Sequence, residues 1–453
     1  MTLDTGTTPT MRAPGILSRG YLWITIGACA LVFLGAFESL AVTTVMPAVS
    51  ADLDGERLYA LAFAGPLATG VIGMVVAGTW ADRRGPVAPL FAAVALFVVG
   101  LLVAGLAPSM EMLVAGRFAQ GLGNGGLMVA LYVVVARVYP TALHPAIFAG
   151  FAAAWVVPSL VGPTVAGAVT ELWSWHWVFL GVVLLVIPAL LMVVPALRGL
   201  VGAGDPTTPW ALGRLGWSVL AAAAVLGLSL VGDIPGAGPV LAAAAVVVAL
   251  VAVRPLLPTG ALRARRGLPS VILVRGLGAA GFFGAQVYVP YLLTDRYDLS
   301  PTVAGLALTG GALSWSAAAT VQGRMGARLS SVASVRLGTA LVATGVIGAL
   351  AAVLVTAPLA VIVAAWILAG AGMGLMSPRT SALTLEMSAP EAHGFNSSAM
   401  TVADSFGSAL ALAVTGVLFA SASVVDPFAT VFALAAVISL AAAVLAPRVA
   451  PRE

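Results

Sequence analysis

The sequence predicts an all-α membrane protein of fourteen spanning helices, arranged as two six-helix bundles plus two additional helices, with both termini cytoplasmic. Three observations carry that expectation. The first is composition: 61% of the 453 residues are apolar and only 8% are charged, with a mean hydropathy of +1.08. Soluble domains are about 45 to 50% apolar and about 25% charged, so this excess cannot be hidden in a globule. Fourteen helices of ~21 residues would take ~294 residues, ~65% of the chain, which leaves no room for a soluble catalytic domain. The second is that apolar runs bounded by Gly, Pro and charged residues recur fourteen times. The third is the placement of the basic residues, all 21 of which are arginine.

The runs start near Tyr21, Arg57, Val87, Met110, Ala146, Trp177, Arg214, Gly238, Ser270, Pro301, Val335, Pro358, Phe395 and Phe428. Stretches such as 91–105 and 241–253 are apolar on every face, unlike the alternating strands of an outer-membrane barrel. Arg12 and Arg19 precede the first run, as in a signal peptide. Its apolar stretch continues to Val49, however, too long for a signal core, and it reads as an uncleaved spanner. With the N-terminus inside, seventeen arginines fall on the cytoplasmic side, two outside (Arg57 and Arg296) and two within helices (Arg117 and Arg275). That bias sets the orientation and supports an even number of spans. The basic pI is then a topology signal. No basic patch with stacking aromatics points to nucleic acid.

Only 198–213 and 254–269 are long enough to be linkers. They frame a two-helix insert. The expected organisation is a cytoplasmic tail over 1–20, a first bundle over 21–200, the insert with its linkers over 201–268, a second bundle over 269–447 and a tail over 448–453. The pattern of the first six helices recurs after the insert. Tyr288-Val-Pro-Tyr291-Leu-Leu-Thr and Leu299-Ser-Pro-Thr-Val-Ala-Gly-Leu306 stand where Thr43-Thr-Val-Met-Pro47 and Ala51-Asp-Leu-Asp54 stand in the first half, and Gly323-Arg-Met-Gly-Ala-Arg328 echoes 78–85. Two similar bundles around a cavity suit alternating access.

Charges inside apolar helices are the candidate machinery. Arg117 lies seven residues below Met110, ~10 Å into a hydrocarbon slab ~30 Å thick. A lone charge there costs at least ~2.5 kcal/mol, so it needs a partner or water. Glu38, nine residues before Pro47, sits ~13 Å deep and is the best candidate partner. A pair that opens and closes with conformation can take up and release a proton; a permanent pair would merely lock helix one to helix four. Asp404, nine residues past Phe395, lies near the midplane. It reads as a second proton site or a cation-binding acid, or else as a neutral hydrogen-bonded group. Arg275, one turn inside its helix, can snorkel to the boundary.

Five segments resemble the major facilitator superfamily and within it the fourteen-spanner drug:proton antiporters. Gly78-Thr-Trp-Ala-Asp82-Arg83-Arg84-Gly85 between helices two and three is similar to the G-x-L-A-D-R-x-G loop, with Trp80 for the usual leucine and Pro86 and Val87 where basic residues are usual. The resemblance implies that Gly78, Asp82, Arg83 and Gly85 form a conformational latch, its glycines permitting a tight turn. Leu113-Val-Ala-Gly-Arg117-Phe-Ala-Gln120-Gly121-Leu-Gly123 resembles R-x-x-Q-G-x-G in helix four. The run 38–47 resembles the helix-one signature, with Glu38 for aspartate and Thr43 for asparagine. Pro158-Ser-Leu-Val-Gly162-Pro163-Thr-Val-Ala166-Gly167 in helix five resembles G-P-x-x-G-G, the antiporter motif, whose small residues let helices approach closely. Trp173-Ser-Trp175-His176-Trp177-Val-Phe179 resembles W-R-W-x-F at the start of helix six, and also reads as an interfacial aromatic belt.

The resemblance implies the major facilitator fold and a proton-coupled secondary transporter that exports a lipophilic or amphipathic small molecule, cations included, as multidrug efflux proteins do. Glu38, Arg117 and Asp404 are the expected coupling residues. Thr43, Gln120, Asn124, Gln286, Tyr288 and Tyr291 are the expected cavity lining, with hydrophobic packing the alternative for the tyrosines. Export of a lipid or metabolite would look the same, and an importer or facilitator on the same fold is the further alternative. No cofactor is expected beyond a proton gradient, and no metal: His144, His176, His393 and the single Cys29 have no ligand spacing. No nucleotide-binding loop occurs, and no nucleophile–base pair suggests an enzyme. The expected setting is the cytoplasmic membrane of a bacterial cell, with the protein a monomer in contact with lipid, protons and its small-molecule substrate, and no nucleic acid.

Overall fold

A computed structural model of the chain describes residues 15–140, 143–200, 205–207, 209–231, 237–325, 329–389, 392–421 and 426–450. Arg12, Arg328 and Arg452 of the charge count, and parts of both tails and of the insert's linkers, lie outside these residues. The described chain is helical and holds no strand. Its α-helices are α1 (Leu22–Asp52), α2 (Tyr59–Arg84), α3 (Val87–Gly105), α4 (Met110–Val138), α5 (His144–Leu172), α6 (His176–Leu197), α7 (Leu212–Val231), α8 (Gly238–Val253), α9 (Leu268–Gln286), α10 (Tyr288–Tyr297), α11 (Pro301–Met325), α12 (Ser331–Leu354), α13 (Leu359–Glu386), α14 (His393–Ser421) and α15 (Pro427–Leu445).

Local chemistry sets the boundaries. Ser109 caps α4 by accepting the Met112 N–H at 3.4 Å, Ser330 caps α12 from Ala333 at 3.2 Å, and Asp426 caps α15 from Phe428 at 2.9 Å, each satisfying a donor that the first helical turn leaves unpaired. Prolines set the bends. Pro290 cannot donate to the Gln286 carbonyl four residues back, and the expected ninth helix divides there into α9 and α10. Pro163 likewise leaves the Ser159 carbonyl without a donor, and α5 bends by 42° between its 146–159 and 161–172 parts. Gly85, at φ +80°, ends α2. Gly78 lies inside α2, so the turn of the 78–85 loop depends on Gly85 alone.

Eleven helices, or twelve with the bent α5, are long and apolar enough to cross a membrane among the described residues. The protein is a multi-pass membrane protein. The apolar part of α7 is shorter, Leu212–Leu228, and α11 carries Thr302, Thr309, Ser314, Ser316, Thr320 and Gln322 along its length. Helices that cover little else present leucine, isoleucine and valine outward, such as Leu184, Ile187 and Leu191 on α6 or Val240, Val247 and Val251 on α8, the pattern expected where lipid replaces water.

Packing repeats with the order of the chain. In the first half α1 packs on α5 and α6, α4 on α2 and α3, and α3 on α6. In the second half α9 packs on α14 and α15, α13 on α11 and α12, and α12 on α15. Each of these pairings recurs under the exchange of α1–α6 for α9 and α11–α15. The two sets meet through α5 against α11 and α2 against α14, which are equivalent under the same exchange. The insert breaks this symmetry, because α7 packs against both α2 and α14.

Candidate functional site

Arg117 is the centre of a buried cluster on α4. Its guanidinium pairs with Glu38 of α1, and its Nη1 also donates to Gln120 Oε1 at 2.8 Å. Both charged side chains are buried, at 4% and 5% exposure. Nε of Arg117 donates to the Ala62 carbonyl of α2 at 3.0 Å. That carbonyl is available because Pro66, four residues on, has no N–H to offer it. Arg117 therefore joins α1, α2 and α4, and the proline that frees its third partner is a signal the sequence reading passed over.

The second bundle has its own pair. Arg275 of α9 meets Asp404 of α14 in a two-pronged contact, Nε to Oδ1 at 2.9 Å and Nη2 to Oδ2 at 2.8 Å, the strong geometry for an arginine and a carboxylate. This corrects one expectation: Arg275 does not snorkel to the boundary but meets Asp404 on the neighbouring helix. The pair is more open than the first, at 14% and 26% exposure.

The expected cavity lining divides. Thr43 is buried and spends its hydroxyl on the Ser39 carbonyl within α1 at 3.2 Å. Gln120 is buried with its amide nitrogen unpartnered, Asn124 packs its amide oxygen against Gly35 of α1, and Gln286 is buried at the end of α9. Tyr288 and Tyr291 pack against other rings. They lie tilted against Tyr59 of α2 at centroid distances of 5.8 and 5.0 Å and against Phe419 of α14 at 5.2 and 5.5 Å. The Tyr59 hydroxyl donates to the Val287 carbonyl at 2.8 Å. This aromatic cluster plugs the space between the bundles at the arginine-poor end. The sequence showed three tyrosines at helix ends, but not that they face one another.

The same end is closed along α5 and α11. A side chain at Gly167 would place Cβ 2.7 Å from the Thr302 Cα, and Gly305 is equally tight against the Pro163 carbonyl at 2.8 Å. Glu171 Oε1 accepts the Thr302 N–H at 3.0 Å, capping the other bundle's helix. Gly162, by contrast, faces the Phe37 ring at an ordinary 3.5 Å, and Pro158 and Pro163 are buried within the bent helix. In this motif the close approach belongs to Gly167, not to Gly162. Two direct hydrogen bonds between the bundles, Tyr59 to Val287 and Thr302 to Glu171, lie at the arginine-poor end.

At the opposite, arginine-rich end Asp82 is exposed, while Arg83 lies over the Trp210 ring at 5.3 Å and the Asp82 carbonyl accepts the Asp205 N–H at 2.9 Å. The residues of the expected latch thus touch the insert's linker. The tryptophan-rich segment serves two purposes. Trp173 and Trp177 are exposed, as in a belt, but Trp175 is buried, stacks on His176 and donates to Asp52 Oδ2 at 2.9 Å, tying the α5–α6 turn to the end of α1. Replacing Trp175 by phenylalanine is expected to cost about 1 to 2 kcal/mol from the lost bond and volume, read as a lower melting temperature in micelles; an unchanged midpoint would show the tie to be unimportant.

Two bundles of one pairing pattern, meeting at interfaces exchanged by their own repeat and each holding a charge pair inside apolar helices, define a membrane transporter and not an enzyme. The chain belongs to the major facilitator superfamily, whose sequence profile matches residues 28–298 and 271–453. A probable multidrug-efflux transporter of Mycobacterium tuberculosis is 34% identical over 190 residues, 42% of this chain and 40% of that one. The multidrug efflux pump SdrM of Staphylococcus aureus is 28% identical over 172 residues, 38% of each chain. The matches thus span less than half the length of these relatives. Among solved structures, a POT family transporter in complex with 5-aminolevulinic acid superposes with a TM-score of 0.69 at 14% identity, covering 94% of this chain and 97% of that one. The xylose transporter XylE from E. coli, in a partially occluded inward-open conformation, gives 0.63 at 14% identity over 93% and 96%. These likenesses concern the fold.

Proposed function

We propose that the protein is a proton-coupled secondary exporter of lipophilic or amphipathic small molecules, working by alternating access with fourteen spans and both termini in the cytoplasm of a bacterial cell. The observation that carries this reading is the buried contact of Glu38 with Arg117 inside the first bundle. Proton uptake and release then follow the breaking and making of this contact, as α1 shifts against α4 within the first bundle while the two bundles rock. The domain partition read from the sequence supplies the moving parts: 21–200 and 269–447 rock, with the insert attached. The arginine-rich end is the cytoplasmic one, so the contacts of Tyr59, Gly167 and Glu171 form the outer gate, and Asp82 with Arg83 belongs to the inner latch. Similarity to multidrug-efflux relatives supports the outward direction. Export of a lipid or a cell metabolite would use the same parts.

Proteoliposomes with an imposed proton gradient test the reading. Glu38→Gln is expected to lower gradient-driven flux of a lipophilic dye by more than about tenfold while leaving downhill exchange, and Asp404→Asn to lower it too. Undiminished gradient-driven flux in both variants would refute proton coupling at these residues.

A further inference from the structure

Among the described residues Glu38 and Asp404 are the carboxylates that lie more than two turns from a helix end, and each is held by its own guanidinium. A cationic substrate entering the interior therefore meets no free acid. The two pairs differ in access. Glu38 and Arg117 are sealed, whereas Arg275 and Asp404 are partly open. An exposed charge pair on a spanning helix faces water or a substrate path, not lipid. The α14 surface around it fits that setting: Ser397, Thr401, Asp404 and Ser405 fall at i, i+4, i+7 and i+8, one polar face of which no member is fully buried. On the elements packed against α14, Arg275 is the charged residue of α9, α13 carries Arg379 and, at its exposed end, Glu386, Arg214 of α7 lies over Phe395, and exposed Asp82 stands at the end of α2.

We propose that Arg275 sets the charge selectivity of the transport site: by holding Asp404 in a two-pronged pair, it keeps the second bundle's wall electroneutral, so that the site takes uncharged amphipathic molecules and discriminates against permanent cations. Apolar surface for such a molecule is at hand. Phe33 and Phe37 stack along α1, and Phe283 and Trp315 pack together in the second bundle, all four only half-buried. The selectivity rests on the transport reading, and a binding assay separates the two.

The test uses the full chain in nanodiscs and two fluorescent dansylamides of equal size, one with a 3,3-dimethylbutyl tail and one with its isosteric 2-(trimethylammonio)ethyl tail. The parent is expected to bind the neutral probe at least about tenfold more tightly. Arg275→Gln frees Asp404 and is expected to raise affinity for the cation by at least about tenfold, and adding Asp404→Asn to that variant is expected to remove the gain. Asp404→Asn alone leaves Arg275 unneutralised and is expected to gain affinity for a carboxylate-tailed analogue, which tests the assignment even if the unpaired acid prevents folding of the first variant. Equal or tighter binding of the cation by the parent, no binding of either probe, or no shift in either single variant would overturn it. Ordered binding without proton-driven flux would overturn the export reading and leave Arg275 in place.

Discussion

Replacing Arg117 by leucine is expected to destabilise the protein by about 3 to 5 kcal/mol, the usual cost of removing one partner from a fully buried ion pair. Three acceptors lose their donor at once: the Glu38 carboxylate, the Gln120 amide oxygen and the Ala62 carbonyl that Pro66 leaves open. None can turn to water, because the site is sealed by α1, α2 and α4. Adding Glu38→Leu is expected to restore much of the loss, since an apolar pair of similar volume has no uncompensated charge to bury. Unfolding of the purified single and double variants in micelles measures both numbers. A loss below about 1 kcal/mol in the single variant would mean that water reaches the pair.

Gly167→Val is expected to hold the arginine-poor end apart and to reduce gradient-driven flux by more than about tenfold. The new side chain would meet the backbone of Thr302, with Cβ 2.7 Å from its Cα and 2.8 Å from its N, and backbone within a helix cannot move aside as a flexible side chain can. Relief requires α11 to retreat from α5, which also breaks the bond from the Thr302 N–H to Glu171. Spin labels at Leu106 and Val355, both exposed in loops at that end and one on each bundle, read the separation in a background with Cys29 replaced by serine. A longer distance in the variant is the expected result; an unchanged distribution would show that the close approach is not what closes the end.

Much of the fold was legible because its signals are local. Each expected helix start lies within four residues of an observed one, since apolar runs, prolines and charged ends mark a span wherever its neighbours are. The Glu38–Arg117 contact was also legible, because a depth can be counted along each helix and a lone charge at that depth demands a partner. The same counting does not find the Arg275–Asp404 pair, because depth along a helix says nothing of which face points where. For the same reason it leaves open whether Tyr288 and Tyr291 line a cavity or pack on neighbouring rings.

What the sequence determined by itself is the membrane setting, the helical content and the residues that carry charge into the apolar interior, because each follows from transfer energy and from spacing along one chain. What only the tertiary structure decided is pairing: that Asp404 meets Arg275, that the tyrosines pack on Tyr59 and Phe419, that Gly167 and not Gly162 is pressed against the other bundle, and that α7 of the insert lies across α2 and α14. These depend on the rotation of each helix about its own axis and on contacts between residues more than a hundred positions apart. A hydropathy pattern that is apolar on nearly every face leaves that rotation unspecified, and packing between helices sets it.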